Sequence, residues 1–253
     1  MKSKTFIAVF LSFFLSSFFP TVSLAAQTSL LPNISLSVNP GSTPSGVVGT
    51  VQIIVLLTIL SLALAILILM TSFTRIIVVL SFVRNALSLQ QSPPNQVLIG
   101  LALFLTLFIM GPTLSAVNSN AIQPYLAGKI SQSIALSNAE LPFKEFMAKQ
   151  TRVSDVDLFL KYQHLPIPKN LVSLPITTLI PAFALSELKT AFQIGFMIYV
   201  PFLVIDLVVA TTLMSMGMMM LPPLLISAPF KLLLFVMVDG WYLVVSSLLT
   251  GFH

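Results

Sequence analysis

Residues 51–70 read VQIIVLLTILSLALAILILM, a run of twenty interrupted only by Gln52, Thr58 and Ser61. As a helix rising about 1.5 Å per residue it crosses a hydrocarbon layer roughly 30 Å thick. The remainder of the chain has the same character. Of its 253 residues, 57% are hydrophobic and 8% charged, with a mean hydropathy of +1.02; a soluble domain carries about 25% charged residues. No charge lies between Lys4 and Arg75 or between Arg84 and Lys129, and ten fall from Lys129 to Lys169. Charges so few and so clustered cannot cover a water-facing surface. The fold class is an all-α membrane protein.

Upstream, Lys2 and Lys4 precede an apolar run over residues 6–19, and Ser23-Leu24-Ala25 supplies small residues for cleavage. Residues 1–25 therefore read as a secretory signal peptide, with an uncleaved anchor as the alternative. Cleavage before Ala26 leaves ten basic and seven acidic residues. That small excess does not point to nucleic acid. Residues 26–50, rich in Ser, Pro, Gly and Asn, read as an exported N-terminal segment. The chain has no cysteine, hence no disulfide and no thiol chemistry.

Downstream, residues 51–117 read as a first helical hairpin cornered at Pro93-Pro94, its second run interrupted at Gly111-Pro112. Residues 118–185 hold more than half of the charges. Phe143, Phe146 and Met147 fall at i, i+3, i+4, as do Val156, Phe159 and Leu160, which predicts short amphipathic helices in a small periplasmic-side domain. Ser154 with Asp157 has capping-box spacing, and the turn from His164 to Pro168 ends that helix. Residues 186–253 read as a second hairpin. It holds a run over 191–210 broken at Pro201, a run over 217–238 containing Pro222-Pro223 and Lys231, and a tail over 241–249. A cleaved signal puts the mature N-terminus outside, so four spans place both Pro-Pro corners on the cytoplasmic side, with Arg75 and Arg84 as anchors. The Lys and Arg count opposes this, with two inside and seven in 118–190. The positive-inside rule is weak for translocated loops longer than about 60 residues.

The chemical inventory is thin. His164 and His253 are the only histidines, no nucleotide loop or hydrolase elbow occurs, and no metal, cofactor or catalytic group is expected. Asp206 and Asp239 lie at similar distances from Pro222, which admits a shared-proton protease reading. The Gly-x-Gly-Asp motif of membrane aspartyl proteases is missing, however. Asp206 alone could serve a proton path, or a stand-alone ion or proton channel, because acids within membrane segments are functional candidates by default. A structural acid satisfied by its neighbours is the other reading.

The sharpest local feature is Met214-Ser-Met216-Gly217-Met218-Met219-Met220-Leu221-Pro222-Pro223. Consecutive methionines point in different directions on a helix, and the flanking Gly and Pro favour a loop. Methionine is unbranched and polarizable, and repacks around varied shapes. A ring of such loops would make an adaptable apolar seal; irregular core filling is the alternative.

Several strings carry a resemblance. Ser72-Phe73-Thr74-Arg75-Ile76-Ile77, Arg84-Asn85-Ala86-Leu87 and Pro93-Pro94-Asn95-Gln96-Val97-Leu98 resemble the first hairpin of the P-subunit family of type III secretion export gates. Ser186-Glu187-Leu188-Lys189-Thr190-Ala191-Phe192, residues 217–223, Pro229-Phe230-Lys231 and Val238-Asp239-Gly240-Trp241 resemble the second. Similarity is greatest to the flagellar branch, with the virulence-injectisome branch as the alternative. Ser88 stands where that pattern has Gly. The resemblance implies a non-enzymatic pore subunit in the bacterial inner membrane, at the flagellar basal body. It would assemble as several copies with the R and Q subunits, and with the B and A export-apparatus proteins. The assembly would contact membrane lipid and pass unfolded flagellar polypeptides, with no nucleic acid involved. It further implies that Met218, Met219 and Met220 line the constriction, in helices wound into an assembly raised largely out of the bilayer.

Lys231 within an apolar run requires an acid. Counted from Pro222, Asp206 misses it by about 10 Å of helix. Glu187 of a neighbouring subunit is the expected partner, reaching it through the staggered assembly that the resemblance implies, in a buried charge network of Glu187, Lys231 and Asp206; snorkelling of Lys231 to water is the alternative.

Overall fold

The computed structural model describes residues 44–89, 91–166, 168–218 and 221–252. The expected signal peptide lies outside the described residues, as do residues 26–43, Met219, Met220 and His253. The chain divides into two units, Met1–Leu56 and Leu57–His253, at a point within the first helix. The second unit holds the core and the polar clusters.

The described residues form helices joined by short connections. Helix α1 (Pro44–Leu69) covers most of the apolar run over 51–70. Helices α2 (Phe73–Ala86) and α3 (Asn95–Val117) follow, then a π-helical turn (Asn118–Ile122) leading into α4 (Gln123–Leu126). Helices α5 (Gln132–Gln150) and α6 (Val153–Tyr162) form the charge-rich centre. The long α7 (Ile176–Ser215), α8 (Pro223–Met237) and α9 (Gly240–Thr250) complete the chain.

Helix α2 is the spine of the core. Ile76, Val79, Leu80 and Val83 recur at three- and four-residue spacing and are fully buried, so a single stripe faces the neighbouring helices. They pack with Leu98 and Ala102 of α3, Ala191 and Phe202 of α7, Phe235 of α8, and Val244 and Leu248 of α9. Between apolar helices, close packing carries the association. Gly195 of α7 lies against the Phe82 ring of α2, and Gly240 lies against Phe235, positions where an added Cβ would overlap. Phe143 and Phe146 pack on the cluster of Met147, Leu179 and Phe183, and Phe159 on that of Val156 and Leu160, as the periodicity predicts.

Among the described residues two stretches are long and apolar enough to cross a membrane, Asn95–Leu126 and Ile176–Ser215; α8 and α9, bent by 62°, pass together as a third. Three details differ from the sequence expectations. Pro112 does not end α3, and Pro201 does not break the third run: both prolines lie inside continuous helices. A proline removes one hydrogen bond, and packing along a neighbour carries the helix past it. As a result α7 runs for 40 residues, about 60 Å, and the expected edge at 185/186 falls in its interior. Thirdly, the Ser154–Asp157 capping box does not form. Arg152 is the N-cap of α6 without a side-chain cap bond, so Ser154 is already inside the helix, and Asp157 instead pairs with Lys161 at 2.6 Å.

Candidate functional site

Three polar clusters sit in an otherwise apolar chain, each joining segments far apart in sequence. The first centres on Arg75. Its Nε donates to Glu187 Oε2 at 2.8 Å, its Nη2 to Glu187 Oε1 and, at 3.0 Å, to Gln150 Oε1, and its Nη1 to Gly251 O at 3.0 Å. The guanidinium also lies 3.8 Å from the centre of the Phe252 ring. A planar fork of fixed donors suits this bidentate, stacked arrangement. Arg75 and Glu187 are 3% and 0% exposed, so Arg75, expected as a cytoplasmic-side anchor, is an internal tie between α2, α5, α7 and the end of α9. Arg84 is half-buried and donates to Asn95 Oδ1 at 2.5 Å and Pro93 O at 3.4 Å, bracing the first Pro-Pro corner instead of reaching outward.

The second cluster docks α6 on α7. Asp155, buried, accepts from Ser186 Oγ at 2.7 Å and pairs with Lys189; Arg152 N donates to the same Ser186 Oγ at 3.1 Å. Burial raises the Asp155 carboxyl, but bonds from Lys189 and Ser186, with the charges of Lys189 and Arg152, outweigh it and leave it below the ordinary value.

The third cluster corrects the expected Lys231–Glu187 pairing. Lys231, 1% exposed, donates to Asp206 Oδ2 at 2.6 Å and to Ser88 Oγ at 2.9 Å, while Ser227 Oγ donates to Asp206 Oδ1 at 2.6 Å. The depth count failed because Pro222 is not the midpoint of the turn. Helix α7 ends at Ser215, nine residues past Asp206, and α8 starts at Pro223, eight before Lys231. The described residues between them, 216–218, 221 and 222, lie outside both helices, so the two side chains meet at equal depth. With Asp206 paired to a lysine, the shared-proton reading with Asp239 has no support. Asp239 sits instead at the α8–α9 bend, with φ 51°.

Ser88 occupies the C′ position of α2, with φ 60°, where Leu89 N bonds Arg84 O and Ser88 N bonds Asn85 O. This closure favours glycine. The hydroxyl that replaces it reaches Lys231 and links the two hairpins. The same closure ends α7: Met218 N bonds Leu213 O and Gly217 N bonds Met214 O, with Gly217 at φ 76°. The described residues 216–218 of the methionine stretch are thus non-helical. Its described methionines Met214, Met216 and Met218 are 65%, 65% and 43% exposed. Sequence reasoning missed Ser227, Gln150 and Asp155; it noted Ser88 in place of glycine but not its bond to Lys231.

The family model described as the FliP family matches residues 56–248. The chain belongs to the FliP family. It is 60% identical over 220 residues to the flagellar biosynthetic protein FliP of Bacillus subtilis (strain 168), an alignment covering 87% of this chain and 100% of that protein. The flagellar biosynthetic protein FliP of Aquifex aeolicus is 49% identical over 229 residues, covering 89% and 93%. That of Treponema denticola is 45% identical over 270 aligned positions, covering all of both. The matched span of the FliP family holds the second and third polar clusters, Arg75, Gln150 and Glu187 of the first, and the methionine stretch; Gly251 and Phe252 lie just beyond it.

Proposed function

We propose that this FliP-family chain is a structural, pore-forming subunit of the flagellar type III export gate, without enzymatic activity. The exposed methionines at the tip of the α7–α8 hairpin carry the reading. Met214, Met216 and Met218 do not fill the core of their own chain, and adaptable apolar side chains at the end of a helix about 60 Å long suit a seal formed by several copies. In this account Met218, Met219 and Met220 line the constriction. Several copies assemble with R and Q subunits in the inner membrane at the basal body, next to the B and A proteins, and pass unfolded flagellar polypeptides. Residues 1–25 direct export and are removed, and the Pro-Pro corners face the cytoplasm.

The test is the mass of the intact complex solubilised in detergent from its native membrane. The account expects a defined particle with several copies of this chain and two further small membrane proteins. A lone chain that conducts ions by itself would instead mark a stand-alone channel.

A further inference from the structure

We propose that the methionine stretch over residues 214–220 is an oxidation site: a hydroperoxide converts its thioethers to sulfoxides, and the seal then leaks until they are reduced. The inference rests on the pore reading above. The chain has eleven methionines and no cysteine, so its most readily oxidised sulfur is a thioether. Burial sorts those methionines. Met70, Met110 and Met147 are buried, whereas Met214, Met216 and Met218 are exposed. Met197 and Met237 are exposed too, but each stands alone on its helix; among the described residues the stretch alone gathers exposed sulfurs.

The backbone explains the exposure. Gly217, at φ 76°, closes the end of α7, with Met218 N bonded to Leu213 O and Met216 N to Thr212 O, so Met216 and Met218 leave the helix instead of packing along it. The chemical step balances at sulfur. A lone pair of the thioether attacks one peroxide oxygen and the O–O bond breaks. That oxygen stays as S=O, while the hydroperoxide proton moves to the other, which leaves as water or an alcohol. Sulfur loses two electrons and the hydroperoxide gains them. The product is a polar, chiral side chain that accepts hydrogen bonds. The hydroxyls at the end of α7 are already committed. Thr211 Oγ1 donates to Val208 O at 3.0 Å, Thr212 Oγ1 to Val208 O, and Ser215 Oγ to Thr211 O at 2.8 Å, each within its own helix. An unpaired polar group in an apolar constriction is costly, so the sulfoxide takes water as its donor. Water at that point is what a seal excludes. The change is reversible, because methionine sulfoxide reductases restore the thioether.

The first readout needs no pore. The full chain, purified in detergent, is treated with hydrogen peroxide, and the gain of about 16 Da per oxygen atom is mapped by peptide mass spectrometry. Met214, Met216 and Met218 should react about tenfold faster than Met70, Met110 and Met147, whose sulfurs wait for local opening. Equal rates, or a spared stretch, overturn the proposal. The second readout is ion flux across membranes holding the assembled gate. Peroxide should raise it, a methionine sulfoxide reductase with a thiol reductant should return it, and M197L gates should respond like unaltered ones. Gates carrying M214L/M216L/M218L/M219L/M220L, apolar but without sulfur, should show equal flux before and after peroxide. Constant flux through gates whose stretch is fully oxidised overturns the proposal; the pore reading stands if serine replacements in the same stretch leak. If the serine gates hold as well, the pore reading fails and this inference with it.

Discussion

Replacing Asp206 with alanine should destabilise the chain more than replacing Lys231 with methionine. In D206A the ammonium, 1% exposed, keeps Ser88 Oγ as its one hydrogen-bond partner among the described residues. Stranding a buried charge costs about 3–5 kcal/mol. The Asp206 side chain is 23% exposed, so water enters the vacated site, and we place D206A near ~3 kcal/mol. In K231M the carboxylate keeps the bond from Ser227 and partial solvent, and the cost falls to about 1–2 kcal/mol. The double variant D206L/K231M removes both charges and should recover most of the loss. Ser88 adds a finer comparison. S88A loses a bond to a charged group, about 1.5–3 kcal/mol, and keeps the left-handed backbone. S88G loses the same bond but relieves about 1 kcal/mol of backbone cost, and so should be the more stable of the two. Unfolding of the detergent-solubilised chain can be followed by fluorescence of Trp241, the single tryptophan, which meets Phe235 edge-on at 5.4 Å. A double variant as unstable as D206A, or D206A and K231M of equal stability, would refute the pairing argument.

Three further outcomes are expected. Because the folded Asp155 carboxyl lies below its ordinary value of 3.8, its contribution is fully present above that pH and is lost as pH falls through the folded value. Hydrogen exchange in α6 should accelerate there, and D155N should remove that dependence. R75K retains the charge but not the fork, and should cost about 2–3 kcal/mol in the same unfolding measurement, whereas R84K, at the half-buried corner, should cost less than about 1 kcal/mol. G195L should drive α2 from α7 through the Phe82 ring and cost more than about 2 kcal/mol, while a leucine at Gly100, with open space around it, should stay within about 1 kcal/mol.

The helices and the amphipathic centre were legible because their periodicity is set by local spacing: Phe143, Phe146 and Met147, and Val156, Phe159 and Leu160, pack as their intervals dictate. Gly217 marked the end of α7 for a local reason too, the left-handed closure it permits. Partner choice was not legible. The Lys231–Asp206 pair depends on where a loop begins and ends, and an apolar sequence containing Pro201 does not reveal that α7 continues to Ser215. Arg75 and Arg84 look alike in sequence, each set among apolar residues. Burial against Glu187, 112 positions away, separates the internal tie from the corner brace.

The central claim, that the methionine loop seals a pore built from several copies, is tested most directly by ion flux across membranes holding the assembled gate. Replacing Met218, Met219 and Met220 with serine should make those membranes leak ions, and only when the partner subunits are present. Unchanged permeability in gates that assemble to normal mass would contradict the claim and return those side chains to packing alone.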